Sequence, residues 1–201
     1  MFNELAKEAH KISKEHGWWD KEPTFGSLIS LMHSELSEAL EELRAGRGMV
    51  WYACTEGTPE HPCAPKDIYD CEMSGQEASC AYRSAKPEGI AVELADCIIR
   101  ILDWAGHEEV DVDYYIKTME ENRCHESVID EDFGDFIAVC HSILSNAYAK
   151  EDKLEISMLL CLEIVYIMDW AKHEGVDMDA IIREKMEYNK TRPYRHGGKI
   201  L

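Results

Sequence analysis

At 201 residues the chain can make one large domain or two small ones, with ample length to bury a core. Its 40 acidic and 21 basic residues give a formal charge of −19, which repels nucleic acid and anionic membranes, so neither is expected as a partner. No window is apolar enough to span a membrane and the N-terminus lacks the basic-then-apolar pattern of a signal peptide, so the expectation is a cytoplasmic chain whose eight cysteines are thiols or metal ligands rather than disulfides.

Taken in order, residues 3–16 read as an amphipathic helix with Leu5, Ala6, Ala9 and Ile12 on its apolar face, stopped at Gly17. Trp18-Trp19-Asp20 and the turn residues Pro23 and Gly26 lead into a second helix, 25–45. From Arg47 to Pro87 the chain is rich in Pro, Gly and Cys and has little periodicity, which marks an irregular insertion. Helical patterning returns at 88–105, 111–124, 133–149, 153–173 and 177–190, followed by a short tail. The 3.6-residue period dominates and no segment alternates convincingly as a strand, so the predicted class is all-α, a helical bundle.

The chain also repeats. Ile101–Asp113 matches Ile167–Asp179 at nine of thirteen positions, an offset of 66, where chance gives roughly one match. Phe25-Gly26 and His33-Ser34 recur as Phe133-Gly134 and His141-Ser142 at an offset of 108. The offsets differ by 42 residues, about the length of the Cys-rich segment. The expected organisation is therefore a single all-α domain of two tandem copies, packed as an internal pseudo-dimer. The first spans 1–125 and carries an insertion at about 47–87; the second spans 126–201 and ends in a basic tail.

Candidate chemistry lies in the acids of the first copy. In the apolar run 89–104, the charged residues Glu93, Asp96, Arg100 and Asp103 share one stripe of a helix. Carboxylates on a buried helix are costly unless a cation or metal faces them. A second pair, Glu35 and Glu38, stands at the same spacing upstream. In the second copy these four positions are Ile143, Asn146, Leu159 and Leu162, so only the first copy has the acids. Four converging carboxylates require a divalent cation, and hard oxygen ligands suit Mg²⁺ or Mn²⁺.

His33-Ser-Glu35-Leu-Ser-Glu38 followed by Glu93-Leu-Ala-Asp96 resembles the signature of the MazG-like, all-α nucleoside triphosphate pyrophosphohydrolases, a superfamily that includes the dimeric dUTPases. Gly17-Trp18-Trp19-Asp20 and Tyr188-Asn189-Lys190-Thr191-Arg192-Pro193-Tyr194 are also similar to that family. The resemblance implies Mg²⁺-dependent hydrolysis of a nucleoside triphosphate to monophosphate and pyrophosphate by attack of water at the α-phosphate. It also implies Glu35, Glu38, Glu93 and Asp96 as the catalytic metal ligands, with further Mg²⁺ carried by the triphosphate. The acid-less second copy and the insertion depart from a simple member and leave base specificity open, a dUTP-specific enzyme being the nearest alternative.

The C-terminal cations Lys185, Lys190, Arg192, Arg195 and Lys199 suit a phosphate ligand. Lys185 and Asn189, at i and i+4, face one side of the last helix; with Arg192 they form the expected substrate-binding set, and a Lys and an Asn at this kind of spacing are used by the dUTPase-like relatives. Trp18 and Trp19 are candidates to stack on a nucleobase, or else pack as a helix-to-loop anchor. His33, repeated as His141, reads as structural. Cys54, Cys63, Cys71 and Cys80 are candidate Zn²⁺ ligands in the insertion, although no Cys-x-x-Cys pair is present. The remaining cysteines read as core thiols. A homodimer is compatible with the chain, and the reading from a different class is a non-catalytic acidic regulator or DNA mimic.

Overall fold

Helices form where the periodicity places them, and caps set their ends. The computed structural model describes residues 1–53, 86–122 and 132–198. Seven long helices follow in order: α1 Phe2–Glu15, α2 Phe25–Arg44, α3 Ile90–His107, α4 Val112–Asn122, α5 Phe133–Tyr148, α6 Lys153–His173 and α7 Met178–Thr191, with a one-turn α8 at Arg195–Gly198. Thr24, Asp132, Asp152 and Asp177 cap α2, α5, α6 and α7, each side chain accepting a hydrogen bond from a first-turn backbone N–H. At the end of α1, Gly17 takes a φ of 79°, and the Trp18 amide reaches back to the Ser13 carbonyl at 3.1 Å, the six-to-one bond of a Schellman ending. That ending sends the two tryptophans across α3. The fold is all-α, as expected.

The exception is one short antiparallel pair, β1 Trp51–Ala53 with β2 Lys86–Glu88, in register Tyr52 to Pro87. Three-residue strands leave no alternation to read and depend on a partner far along the chain. The pair joins the two ends of the segment 54–85. Just before β1, the carbonyls of Gly48 and Met49 accept the first free amides of α3, from Ile90 at 3.3 Å and Ala91 at 3.0 Å. The end of α2 is thereby fixed over the start of α3.

Helix α3 is the axis of the core: α1, α2, α6 and α7 all pack on it, and twelve of its eighteen residues are buried. One contiguous hydrophobic cluster draws from all seven long helices, Leu36, Leu94, Ile98, Phe136, Leu144, Ile164 and Ile182 among its members. The contacts have an exchange pattern. α2 packs on α3 as α5 packs on α6; α7 lies on α3 as α4 lies on α6; and α2 meets α5 directly. At that junction the rings of His33 and His141 stack with centroids 5.0 Å apart and Nδ1 atoms 2.7 Å apart. Helix α1, packed on α3, lies outside this exchange.

Candidate metal and phosphate site

The acids stand where α2 and α3 pack side by side. A residue three positions on turns back to the same face of a helix, so Glu35 and Glu38 both point from α2 toward Glu93 on α3. One carboxylate oxygen from each of Glu35, Glu38 and Glu93 lies within 4.8 Å of the other two. An octahedral Mg²⁺ with bonds of about 2.1 Å sets its ligand oxygens about 3–4 Å apart, so this triad fits with small side-chain adjustments.

Burial makes the triad a charged group in want of a cation. Glu35 and Glu93 are 5% and 4% exposed, whereas Glu38 is exposed and accepts only from the Ser34 hydroxyl at 3.1 Å. Desolvation, reinforced by Asp96, pushes the Glu93 carboxyl up to about 9; the adjoining Glu88 carboxyl and Glu35 add to the shift, and Lys185 opposes it. Glu35 is raised by desolvation as well, with Arg100 opposing. Among the described residues, Glu38 and Glu93 have no ion-pair partner.

Asp96, the fourth expected ligand, is placed differently. Its carboxylate meets the Lys185 ammonium at 2.8 Å, and Lys185, 1% exposed, also donates to the Pro87 carbonyl at 3.2 Å. The lysine expected to hold substrate phosphate is thus a buried counter-ion on the face where α7 packs against α3. The i, i+4 spacing with Asn189 was a sound guide to the face but not to its depth. Asn189 lies nearer the surface, and its buried Oδ1 finds no hydrogen-bond partner.

Two openings adjoin the acids. A cavity of about 90 Å³ is lined by Asn189, Arg192, Asp96, Arg100, Asp103 and Trp18. A larger one of about 580 Å³ contains all four acids, with Arg100, Arg192, Arg195, Lys86 and Lys21 on its walls and Trp18, Leu28 and Leu31 as apolar surface. That volume is ordinary for a small-molecule site. Arg192 lines both openings. Lys190 points away, to Glu8 at 2.7 Å and Glu187 at 2.5 Å, and Arg195 donates to the Gly17 carbonyl at 3.2 Å.

Trp18 and Trp19 divide in role. The Trp19 indole N–H donates to both Asp103 oxygens, at 2.9 and 3.1 Å, and its ring stacks on His107 at 4.1 Å. His10 of α1 holds the same carboxylate at 2.9 Å. Trp19 is thus a wall fastened to α3, while Trp18 lines both cavities. Asp103, on the charged stripe, has a bracing task that its spacing did not reveal. Cys54, Cys63, Cys71, Cys80, Cys124 and Lys199 lie outside the described residues.

Comparison with protein-family models, with curated proteins and with solved structures gives no match. The resemblance to the pyrophosphohydrolases therefore rests on the sequence motifs alone.

Proposed function

We propose that this chain is a Mg²⁺-dependent nucleoside triphosphate pyrophosphohydrolase, built from two tandem copies of which the first carries the metal site. The observation that carries the reading is the convergence of Glu35, Glu38 and Glu93 beside a 580 Å³ cavity that also presents Arg100, Arg192 and Arg195. An acidic protein whose carboxylates served only to repel or mimic nucleic acid would spread them over the surface. Here two of the three are buried at one point.

Glu35, Glu38 and Glu93 would hold the ion, with Asp96 beside them. When bound, the metal supplies charge neutralisation at the phosphoryl oxygens and activation of water. The chain's own residues provide the rest. Arg192 and Arg195 offer guanidinium forks to the triphosphate, and Asn189 lines the adjoining small cavity, where its amide N–H can donate to it. Trp18, Leu28 and Leu31 give an apolar surface against which a nucleobase can rest. Lys185 holds the Asp96 carboxylate in place through their 2.8 Å ion pair. The exchanged packing of α4 and α7 supports the internal pseudo-dimer, because the last helix of the second copy then completes the site of the first.

The test is product analysis with each canonical (d)NTP and dUTP, in Mg²⁺ and in EDTA. Monophosphate plus pyrophosphate, absent in EDTA, is expected, and turnover of dUTP alone would narrow the reading to a dUTP diphosphatase. Failure to hydrolyse any nucleotide would count against the enzyme. An Asn189→Ala protein with unchanged kcat/KM would remove Asn189 from the substrate set.

A further inference from the structure

Arg100 lies one turn beyond Asp96 on α3, facing Glu35 of α2. Its Nε and Nη2 both reach the same Glu35 oxygen, Oε1, at 2.5 Å. Its charge also acts on Asp96. The guanidinium thus pairs with one of the acids while also lining the cavity wall.

Formal charge shows what this position does. Glu35, Glu38, Glu93 and Asp96 carry four negative charges when ionised. Two cations are embedded with them, Arg100 on Glu35 and Lys185 on Asp96. The remainder is two negative charges, which one divalent ion cancels and two would overshoot. Among the described residues Glu38 and Glu93, both lining the cavity, are the two acids of the four without an ion-pair partner, so the deficit lies on the cavity side of the cluster. In the second copy, where the acids are missing, the residue at the position of Arg100 is Tyr166, packed on Phe136 at 5.4 Å. The arginine is present only where the acids are.

We propose that Arg100 is a resident cation standing in for a second divalent ion, so that the protein binds one metal ion before nucleotide arrives. The inference rests on the metal-site reading above. Arg100 is then a positioning residue: it anchors one Glu35 oxygen while leaving the other for the single ion, and any further metal must enter with the triphosphate, whose own charge neutralises it.

The test is a Mn²⁺ titration of the full chain without nucleotide, with free Mn²⁺ read by electron paramagnetic resonance. The wild type is expected to bind one Mn²⁺ per chain; Arg100→Gln, left with three uncompensated charges, is expected to bind Mn²⁺ about tenfold more tightly and to admit a second ion, while Arg100→Lys, which keeps the charge, behaves as the wild type. Should Arg100→Gln not melt cooperatively, Glu35→Gln is compared with Glu35→Gln/Arg100→Gln, and loss of the guanidinium is expected to tighten Mn²⁺ binding by about tenfold. One Mn²⁺ of unchanged affinity in Arg100→Gln, or no tightening in the double variant, overturns the role of Arg100 and leaves the metal site standing. A wild-type protein that binds no Mn²⁺ overturns the metal reading itself.

Discussion

The α2–α3 seam and the α5–α6 seam use the same sequence frame to opposite ends. At the first, Glu35, Glu38 and Glu93 converge with Asp96 beside them; at the second, the same positions hold Ile143, Asn146, Leu159 and Leu162. The exchange extends to the cations: Arg100 corresponds to Tyr166, and Lys185 on α7 to Met119 on α4, both apolar core members. Acids and their counter-ions have appeared or vanished together. A helix interface accepts buried ionised carboxylates only if their charge is answered locally; otherwise the position is apolar or the acid keeps its proton. Gly106 and Lys172 show a second contrast. A side chain at Gly106 would collide with the Ala6 carbonyl of α1, whereas Lys172 at the matching place on α6 is exposed. α3 has a helix pressed onto it there and α6 does not.

The sharpest way to break the comparison is to remove one ligand that the fold does not need. Glu38 is exposed, so Glu38→Gln is expected to lower Mg²⁺-dependent turnover on the order of 10²-fold or more while leaving the melting temperature unchanged. Loss of activity accompanied by loss of folding would place Glu38 in the framework instead.

Copying the second seam into the first should come next in size. Lys185→Met leaves Asp96 without its partner and is expected to cost about 3 kcal/mol in urea unfolding. Adding Asp96→Leu, the residue of the second seam, should recover most of that loss. If the double variant is no more stable than Lys185→Met, the two seams are not equivalent.

A comparable effect resides in the second copy. Glu163, at the position of Cys97, is fully buried, with no conventional hydrogen bond to either oxygen; only the Cys140 thiol, a weak donor, lies against it. Desolvation pushes its carboxyl up to about 8 from an ordinary 4.5. The folded state therefore holds a proton that the unfolded chain gives up, so stability falls as pH rises from 4.5 towards 8. Glu163→Met is expected to flatten that slope and to raise stability at pH 7 on the order of 3 kcal/mol. Glu93 contributes in the same direction up to about pH 9, and Mg²⁺ should remove its share by favouring the ionised form. Unfolding curves at several pH values, with and without Mg²⁺, separate the two.

The smallest effect belongs to the junction of the copies. Burial lowers the pKa of both His33 and His141, and His33 adds to the shift at His141. The unfolded chain then takes up protons more readily just below pH 6.5, so stability should drop on acidification through that range. In His141→Phe the drop should shrink, as read by melting temperature against pH.

Much of this was legible along the chain. Apolar periodicity placed seven helices within two or three residues of their ends, because burial of one helix face imposes its period on the sequence. Gly17 stopped α1 as expected, since it alone accepts the positive φ of the ending cheaply. The internal repeat, the four acids and their loss from one copy required no coordinates. Spacing pointed to common faces for Glu35 with Glu38 and for Glu93 with Asp96; the structure brings Glu35, Glu38 and Glu93 together and pairs Asp96 with Lys185.

What sequence left open was which group across the interface each face meets. Periodicity fixes a residue's direction around its own helix, but not the depth or identity of its neighbour on another. Only the tertiary structure turned Lys185 inward to Asp96 and set Arg100 on Glu35. It alone brought His33 against His141, across 108 residues of chain, and tied Trp19 to Asp103 and His10. Glu163 read as one more acid in an acidic helix; its burial arises because α6 has neighbours on nearly every side. The sequence by itself determined the helices, the repeat and the location of the acids, since these follow from local periodicity and composition. The balance of charge among the acids was decided by helix packing, because electrostatic pairing depends on distances between segments far apart in the chain.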